Sequence, residues 1–408
     1  MRQLNKLFIH ALGCVGRVIQ CWFSLVLDCH TRDIARFGSV FGVCPIQRIQ
    51  FHSKLVEEGG VHLDVMDTVT NSPLVSICIP TFNRPRLLRM AIESCLAQTY
   101  PSYEIVIGDD SRADDSQMMV AEFQAQHPDK IHYLKNTPSL GQAENINALF
   151  RCAAGARLVL LHDDDLLLPN ALRDLSDCWV GRPSLAAAFG KQYMMTMGGD
   201  ILSEESENLN ESYGRTADRS GMVIPGLAGI RQMFPNDGFM VLAEKARATG
   251  YRPFSVVGAA CDFDFGLRYC LDNDDVWFCD NYTTVYRLSD DAISKTSITA
   301  PYVYKLLNEY EERKKNVLAP EVRSALRDAI ESSAPRAVSG YARLGQGFDA
   351  LRILASSDYA FPERFRLKFL LHSALTFAAL IGGAQGARLV VRAMARIGRQ
   401  AKQREIVG

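Results

Sequence analysis

Several things are scarce or missing in this 408-residue chain, and each removes a class of function. Its eleven cysteines form no C-x-x-C pair and no zinc-type spacing, so the sequence encodes neither a zinc ribbon nor a redox dithiol. No G-x-G-x-x-G follows the first strand-like segment, which takes away the main support for a dinucleotide-dependent dehydrogenase. An excess of one charge is also absent. Lys and Arg number 45 against 46 Asp and Glu, which argues against a general nucleic-acid binder. Long apolar runs are wanting too: Phe8 to Leu27 is interrupted by Arg17 and Gln20 and has no clear cleavage site, and Phe369 to Ile381 falls short of a span. There is no internal repeat and no low-complexity tract. With 48% hydrophobic residues, the chain has enough apolar side chain for one large core and a smaller helical region. Cys78, Cys95 and Cys152 fall at core-facing positions, and the cysteines read as reduced, buried thiols of a cytosolic protein.

What is present is alternation. Residues 73–80 read as a buried strand, followed by a helix with Leu88, Ala91, Ile92, Cys95 and Leu96 on one face. Residues 103–108 give a second strand ending in Asp109 and Asp110. After a polar helix, residues 131–134 give a third, and a helix opening at Gly141 carries Ala143, Ile146, Leu149, Phe150 and Ala153 on one face. Residues 157–161 form the fourth strand. Strands alternating with helices imply an α/β fold with a mostly parallel sheet, whose ligands bind beyond the carboxyl ends of the strands.

At that edge stand Asp163, Asp164 and Asp165, three successive carboxylates between two apolar stretches. Like charges this close repel unless a cation or ligand neutralises them. Carboxylate oxygens suit hard ions such as Mg²⁺ or Mn²⁺, which keep coordination positions open for a substrate's phosphates. The alternative is an acidic turn, with Asp165 capping a helix that carries Pro169 in its first turn.

In order, Pro80-Thr81-Phe82-Asn83-Arg84, then Ile107-Gly108-Asp109-Asp110-Ser111, then Asn145, then His162-Asp163-Asp164-Asp165 with Pro169, resemble the motifs of inverting family 2 glycosyltransferases of the GT-A fold. The resemblance covers roughly residues 73–295. It implies a nucleotide-diphosphate sugar donor, with Pro80, Thr81, Phe82, Asn83, Asp110 and Asp163 at the nucleotide. It also implies a divalent metal, Mg²⁺ or Mn²⁺, on Asp164 and Asp165. His162 stands where the family often has Asp, and Glu144 where it is often basic. Asp262 in Asp262-Phe263-Asp264 resembles the family's acidic helix-opening motif, which makes it the candidate general base; Cys261 stands where Glu usually precedes it. Asp264 reads as structural, bonded to a neighbouring backbone amide. Tyr286-Arg287 resembles the closing segment near the diphosphate, with Arg287 as a phosphate partner or a surface residue and Ser289 where His is common. The acceptor implied is a cell-surface glycan or a lipid-linked sugar.

Two other classes stay open. One is a catalytically inactive sugar-nucleotide-binding or scaffold protein, favoured if Asp262 lies far from the triplet. The other is a metal-dependent nucleotidyltransferase or pyrophosphatase, which needs a second metal cluster or a basic triphosphate loop.

The chain divides into an N-terminal extension (1–65), the transferase domain (66–298), a helical region (299–356) and an apolar then basic tail (357–408). Met66 is expected to be the natural start. Residues 198–225 read as a mobile loop over the acceptor side. The tail carries Arg388, Arg392, Arg396, Arg399, Lys402 and Arg404 at helical spacing, which suits peripheral contact with an anionic membrane, on the cytoplasmic face of the inner membrane. A solvated helix with a Leu389/Val390/Ala393/Ile397 stripe facing the core is the other reading.

Overall fold

The structure is a computed structural model, described over residues 72–289, 298–314, 316–359 and 366–407. The expected start at Met66 and the extension before it lie outside the described residues. The first half runs β1 (Val75–Thr81), α1 (Pro85–Leu96), β2 (Tyr103–Asp109), α2 (Asp115–Gln126), β3 (Ile131–Lys135), α3 (Gln142–Cys152), β4 (Arg157–Leu160), β5 (Leu166–Leu167) and α4 (Ala171–Asp177). Then follow β6 (Ala187–Met195), α5 (Ser203–Ser212), β7 (Gly221–Val223), α6 (Pro225–Ile230), β8 (Met240–Leu242), α7 (Ala243–Thr249), α8 (Phe254–Val257), α9 (Cys261–Asp272) and β9 (Val276–Arg287). The helices α10 (Ala300–Lys314), α11 (Pro320–Arg343), α12 (Gly347–Leu354) and α13 (Arg366–Val407) complete it.

The described strands form one sheet in the order β3-β2-β1-β4-β8-β6-β9-β5, with β7 also on β9. β3, β2, β1 and β4 run parallel, and β8 is antiparallel to both β4 and β6. Side chains of a strand alternate between faces, and the two cores follow that period. Ile77, Ile79, Ile105, Ile107 and Val159 pack under Leu88 and Ile92 of α1. Cys78, Val106, Leu158 and Leu160 pack on the other face with Ile146, Leu149, Phe150 and Phe265. Each such side chain contributes roughly 1.5–3 kcal/mol when fully buried. α3 lies so close to β2 that a Cβ on Gly108 would run into Asn145 Oδ1. The Asn145 amide nitrogen in turn donates to the Gly108 carbonyl at 2.8 Å.

Three local expectations are corrected. Residues 198–225 hold the helix α5, whose Ser206 and Asn210 are buried against β6: Asn210 donates to the Gln192 carbonyl at 2.9 Å, and Ser206 Oγ accepts the Met194 N–H at 2.8 Å. Polarity there serves backbone hydrogen bonding within the fold. Asp165 caps no helix, because β5 follows it and α4 starts at Ala171 after Asn170. Cys152 is exposed, while Cys78 and Cys95 are buried, and burial pushes the Cys95 thiol up to about 12.

Past β9, α10 and α11 pack onto α6 and α9 through Leu307, Tyr310, Val322 and Leu326 against Ile230 and Leu267. α13 is broken at Gly383 (φ 55°, ψ −147°), a left-handed turn that suits glycine. A Cβ on Gly386 would run into the Ala378 carbonyl oxygen. Eight residues of straight helix would put these about 12 Å apart, so the two halves fold back on one another. Phe369–Ala393 is the described segment long and apolar enough to cross a membrane, with mean hydropathy 1.5, and this break falls inside it.

Candidate active site

The carboxyl ends of β1, β2 and β4 open into a cleft of about 840 Å³. Pro80, Thr81, Phe82, Asp110, Asp163, Asp164, Asp165, Asp262 and Arg287 all line it; Asn83 does not. Asn83 instead takes a left-handed φ of 57° and gives its backbone N–H to Ser111 Oγ at 2.7 Å, turning the chain from β1 into α1. Phe82 beside it is 52% exposed, an aromatic face held at the cleft mouth.

The acidic triplet is ordered by different neighbours. Thr81 donates its hydroxyl to Asp163 at 2.7 Å, and Arg84 reaches Asp163 at 3.2 Å and Asp164 at 2.9 Å. Burial lifts the Asp163 carboxyl, opposed by Thr81 and Arg84. Asp165 is 2% exposed and accepts the Arg287 backbone N–H at 2.7 Å, while Arg287 Nε donates to the Asp164 carbonyl at 2.9 Å. Burial, together with Asp237 and Asp164, raises Asp165 well above the usual carboxylate range. Arg287 is therefore a buried strut between β9 and the triplet and not a surface arginine.

Asp110 accepts the Gly141 N–H at 2.7 Å, the Leu140 N–H at 3.1 Å and the Asn136 amide at 2.7 Å. A carboxylate offers about four acceptor positions, so about one remains toward the cleft.

Asp262 lies in the first turn of α9, one residue past Cys261, with Ala260 at the cap. It is thus not the N-cap. Its Oδ1 is 3.8 Å from His162 Nε2, and neither atom has a hydrogen-bond partner among the described residues. His162 Nδ1 lies 3.9 Å from both Asp165 and Asp237, and these three side chains bring ligand-type atoms within 4.8 Å of one another. Burial opposes protonation of His162, but Asp237, Asp262 and Asp165 outweigh it and hold the imidazole well above its usual value.

Behind His162 runs a polar chain that the sequence reading missed. Asp237 accepts the His162 backbone N–H at 3.2 Å and Gln192 Nε2 at 3.4 Å. Gln192 accepts from Arg215 at 2.8 Å, and Arg215 Nε donates to the Met233 carbonyl at 2.8 Å. Arg215 is buried with neutral oxygens as its hydrogen-bond partners, and burial pulls its guanidinium down to about 10. Asp237, placed just before the strand β8, carried a positional signal. Arg215 carried none, since it sits in the stretch taken for a loop.

Asp264 is buried and ion-paired to Arg252 and Arg268, rather than to a backbone amide. Glu144 pairs with Arg151 at 2.7 Å and does not line the cleft.

Residues 76–219 match the family described as glycosyl transferase family 2. A GalNAc(5)-diNAcBac-PP-undecaprenol beta-1,3-glucosyltransferase of Campylobacter jejuni is 35% identical over 103 residues, 25% of this chain and 33% of that one. An Escherichia coli protein, UDP-Glc:alpha-D-GlcNAc-diphosphoundecaprenol beta-1,3-glucosyltransferase WfgD, is 32% identical over 99 residues, 24% of this chain and 38% of that one. An uncharacterized Mycobacterium tuberculosis protein is 36% identical over 117 residues, 29% of this chain and 35% of its own length. The chain thus spans about a third of the length of such curated relatives. Residues 1–349 of S. aureus TarS, in complex with UDP-GlcNAc, superpose with a TM-score of 0.54 at 14% identity, covering 79% of this chain and 91% of that one. The match takes in the β1 motif, the Asp109-Asp110 pair and the acidic triplet, and the chain carries a glycosyl transferase family 2 domain on a GT-A-type fold.

Proposed function

We propose that the chain is an inverting glycosyltransferase, moving a sugar from a nucleotide-diphosphate donor to a hydroxyl of a glycan or lipid-linked acceptor. The observation that carries this reading is the shared cleft. Asp262, with an unpartnered carboxylate oxygen, faces the same space as the triplet at the strand ends and the exposed Phe82. The proximity of Asp262 to His162 counts against a silent scaffold.

Pro80 and Phe82 pack against the base, and Thr81 and Asn83 shape the turn beneath it. Asp110 offers its remaining acceptor position to the base, with Asp163 beside the nucleotide. Asp164 and Asp165 would hold a Mg²⁺ or Mn²⁺. The donor set fits a hard ion: three successive carboxylates line one cleft, with the guanidinium of Arg84 shared between Asp163 and Asp164. When bound, a divalent cation neutralises the departing diphosphate. Arg287, which lines the cleft and braces Asp164, is the residue assigned to pair with that diphosphate in this reading. Asp262 takes the proton of the acceptor hydroxyl as its oxygen bonds to the anomeric carbon and the bond to the diphosphate breaks on the opposite face.

The complex of TarS with UDP-GlcNAc and the lipid-diphosphate acceptors in the names of the C. jejuni and E. coli relatives support this choice of donor and acceptor. Peripheral attachment at the cytoplasmic face of the inner membrane belongs to the same reading. Leu370, Phe377, Ile381, Leu389 and Val391 of α13 are exposed, with Arg388 and Arg392 exposed beside them.

The test is a screen of nucleotide sugars for thermal stabilisation with and without Mn²⁺, followed by NMR of the product anomer. Stabilisation by a donor and an inverted product are expected. A retained anomeric configuration, or transfer of a nucleotidyl group, would overturn the reading.

A further inference from the structure

A second recess adjoins the catalytic cleft. It is a groove of about 270 Å³ between α5, β7 and α6, walled by Met222, Ile224 and Leu227 with Arg219 and Arg231 at its rim. Tyr213 lines both the groove and the cleft, so the two recesses meet at its side chain. Met222 and Ile224 are 50% and 42% exposed, large apolar side chains left open to solvent. Neither Arg219 nor Arg231 forms an ion pair among the described residues.

The partition between the two recesses is built. Gln232 holds a left-handed φ of 57°, a conformation that costs a non-glycine residue on the order of 1 kcal/mol or more. That turn sends Arg231 and Met233 to the groove and Gln232 and Phe234 to the cleft. Buried Arg215 clamps the turn by donating to the Met233 carbonyl. Strain held by a buried clamp at a wall between two recesses is more than a loop needs to close a surface.

We propose that this groove binds the phosphate-proximal part of an amphiphilic acceptor, a sugar carried on a lipid phosphate. The inference rests on the transferase reading for its role as an acceptor site. The lipid's first carbons lie along Met222, Ile224 and Leu227, where their burial supplies the hydrophobic gain. The phosphate meets Arg219 and Arg231, whose forked donors match its oxygens. The sugar then passes Tyr213 into the cleft toward Asp262. A free sugar uses none of the apolar wall, and a polar glycan leaves it exposed, so the groove selects the lipid-linked class.

Calorimetry on the full chain tests this with farnesyl phosphate, farnesol and inorganic phosphate as probes, and UDP with Mn²⁺ as a separate readout of the cleft. Farnesyl phosphate is expected to bind more tightly than either fragment. Its affinity should fall tenfold or more in Arg219→Gln/Arg231→Gln and in Ile224→Asp, with UDP affinity unchanged. These residues are at least partly exposed, so the variants should fold. Farnesyl phosphate affinity untouched by both variants would overturn the proposal. So would farnesol or phosphate alone matching it, which would make the groove a plain apolar slot or an anion site. Failure of UDP to bind the unsubstituted chain would count against the transferase reading instead, and the farnesyl phosphate series would still decide the groove's ligand.

Discussion

His162 Nε2 and Asp262 Oδ1 face each other across 3.8 Å with no hydrogen-bond partner for either atom among the described residues. The gap is too long for a direct hydrogen bond, and a buried pair left in this state favours a polar group arriving between them. An acceptor hydroxyl fits that requirement, since it can donate to the carboxylate as it is deprotonated. Asp262→Asn is therefore expected to keep donor affinity and to lose on the order of 10²-fold or more in transfer rate. Near-normal turnover with an intact fold would remove Asp262 from the chemistry.

Arg84 bridges Asp163 and Asp164, the first two carboxylates of the triplet. Asp164→Asn keeps the shape of the side chain while removing its charge. The variant is expected to fold, to retain the Thr81–Asp163 hydrogen bond, and to lose the Mn²⁺-dependent part of donor binding. Calorimetry giving unchanged donor affinity with Mn²⁺ present would take the metal off Asp164.

The sheet and the triplet were legible because period-two apolar runs and strand-end carboxylates are local signals. Ile77 and Cys78 sort to opposite cores by parity alone. The place of Asp262 on the cleft was legible through its motif. What escaped the sequence is the chain Arg215–Gln192–Asp237–His162, whose members come from four separate segments. Each is an ordinary polar residue until the fold brings it to its neighbour. The polar stretch 198–225 misled for a related reason: Asn210 and Ser206 satisfy backbone groups of β6, and a side chain bonding to the backbone has the same composition as a solvated loop.

Asp109 supplies a pH dependence. It accepts the Ser111 N–H at 2.7 Å, the Tyr133 hydroxyl at 2.6 Å and Lys135 at 3.3 Å. Burial would raise its carboxyl, but these partners outweigh it and hold it below the usual range. A depressed carboxylate contributes stability that is full above the unfolded value, near 3.9, and is lost as pH falls through the folded value. Asp109→Asn should thus cost roughly 1–3 kcal/mol at pH 7, and the gap to the unsubstituted chain should close between pH 4 and more acid conditions. Urea unfolding that gives the same gap at pH 7 and at pH 3 would mean that the charge contributes nothing.

The tail divides at a place the sequence did not mark. Ala387 is buried in the cluster with Ala337, Ala350, Leu375 and Ala379, and Val390 packs against it. Removing residues 387–408 therefore strips a core and is expected to destabilise the helices α11 to α13. Removing only 394–408 leaves Ala387 and Val390 in place and takes away Arg396, Arg399, Lys402 and Arg404. If α13 meets an anionic membrane, each basic residue near the surface adds about 1 kcal/mol, screened within a Debye length of about 10 Å at 0.1 M salt. The full chain should float with anionic liposomes at low salt and release steeply as salt rises. The 394–408 deletion should float less, and neutral liposomes should recover little of either form. Flotation that ignores both the deletion and the salt would put the membrane contact elsewhere and leave α13 as a helix whose basic face is simply solvated.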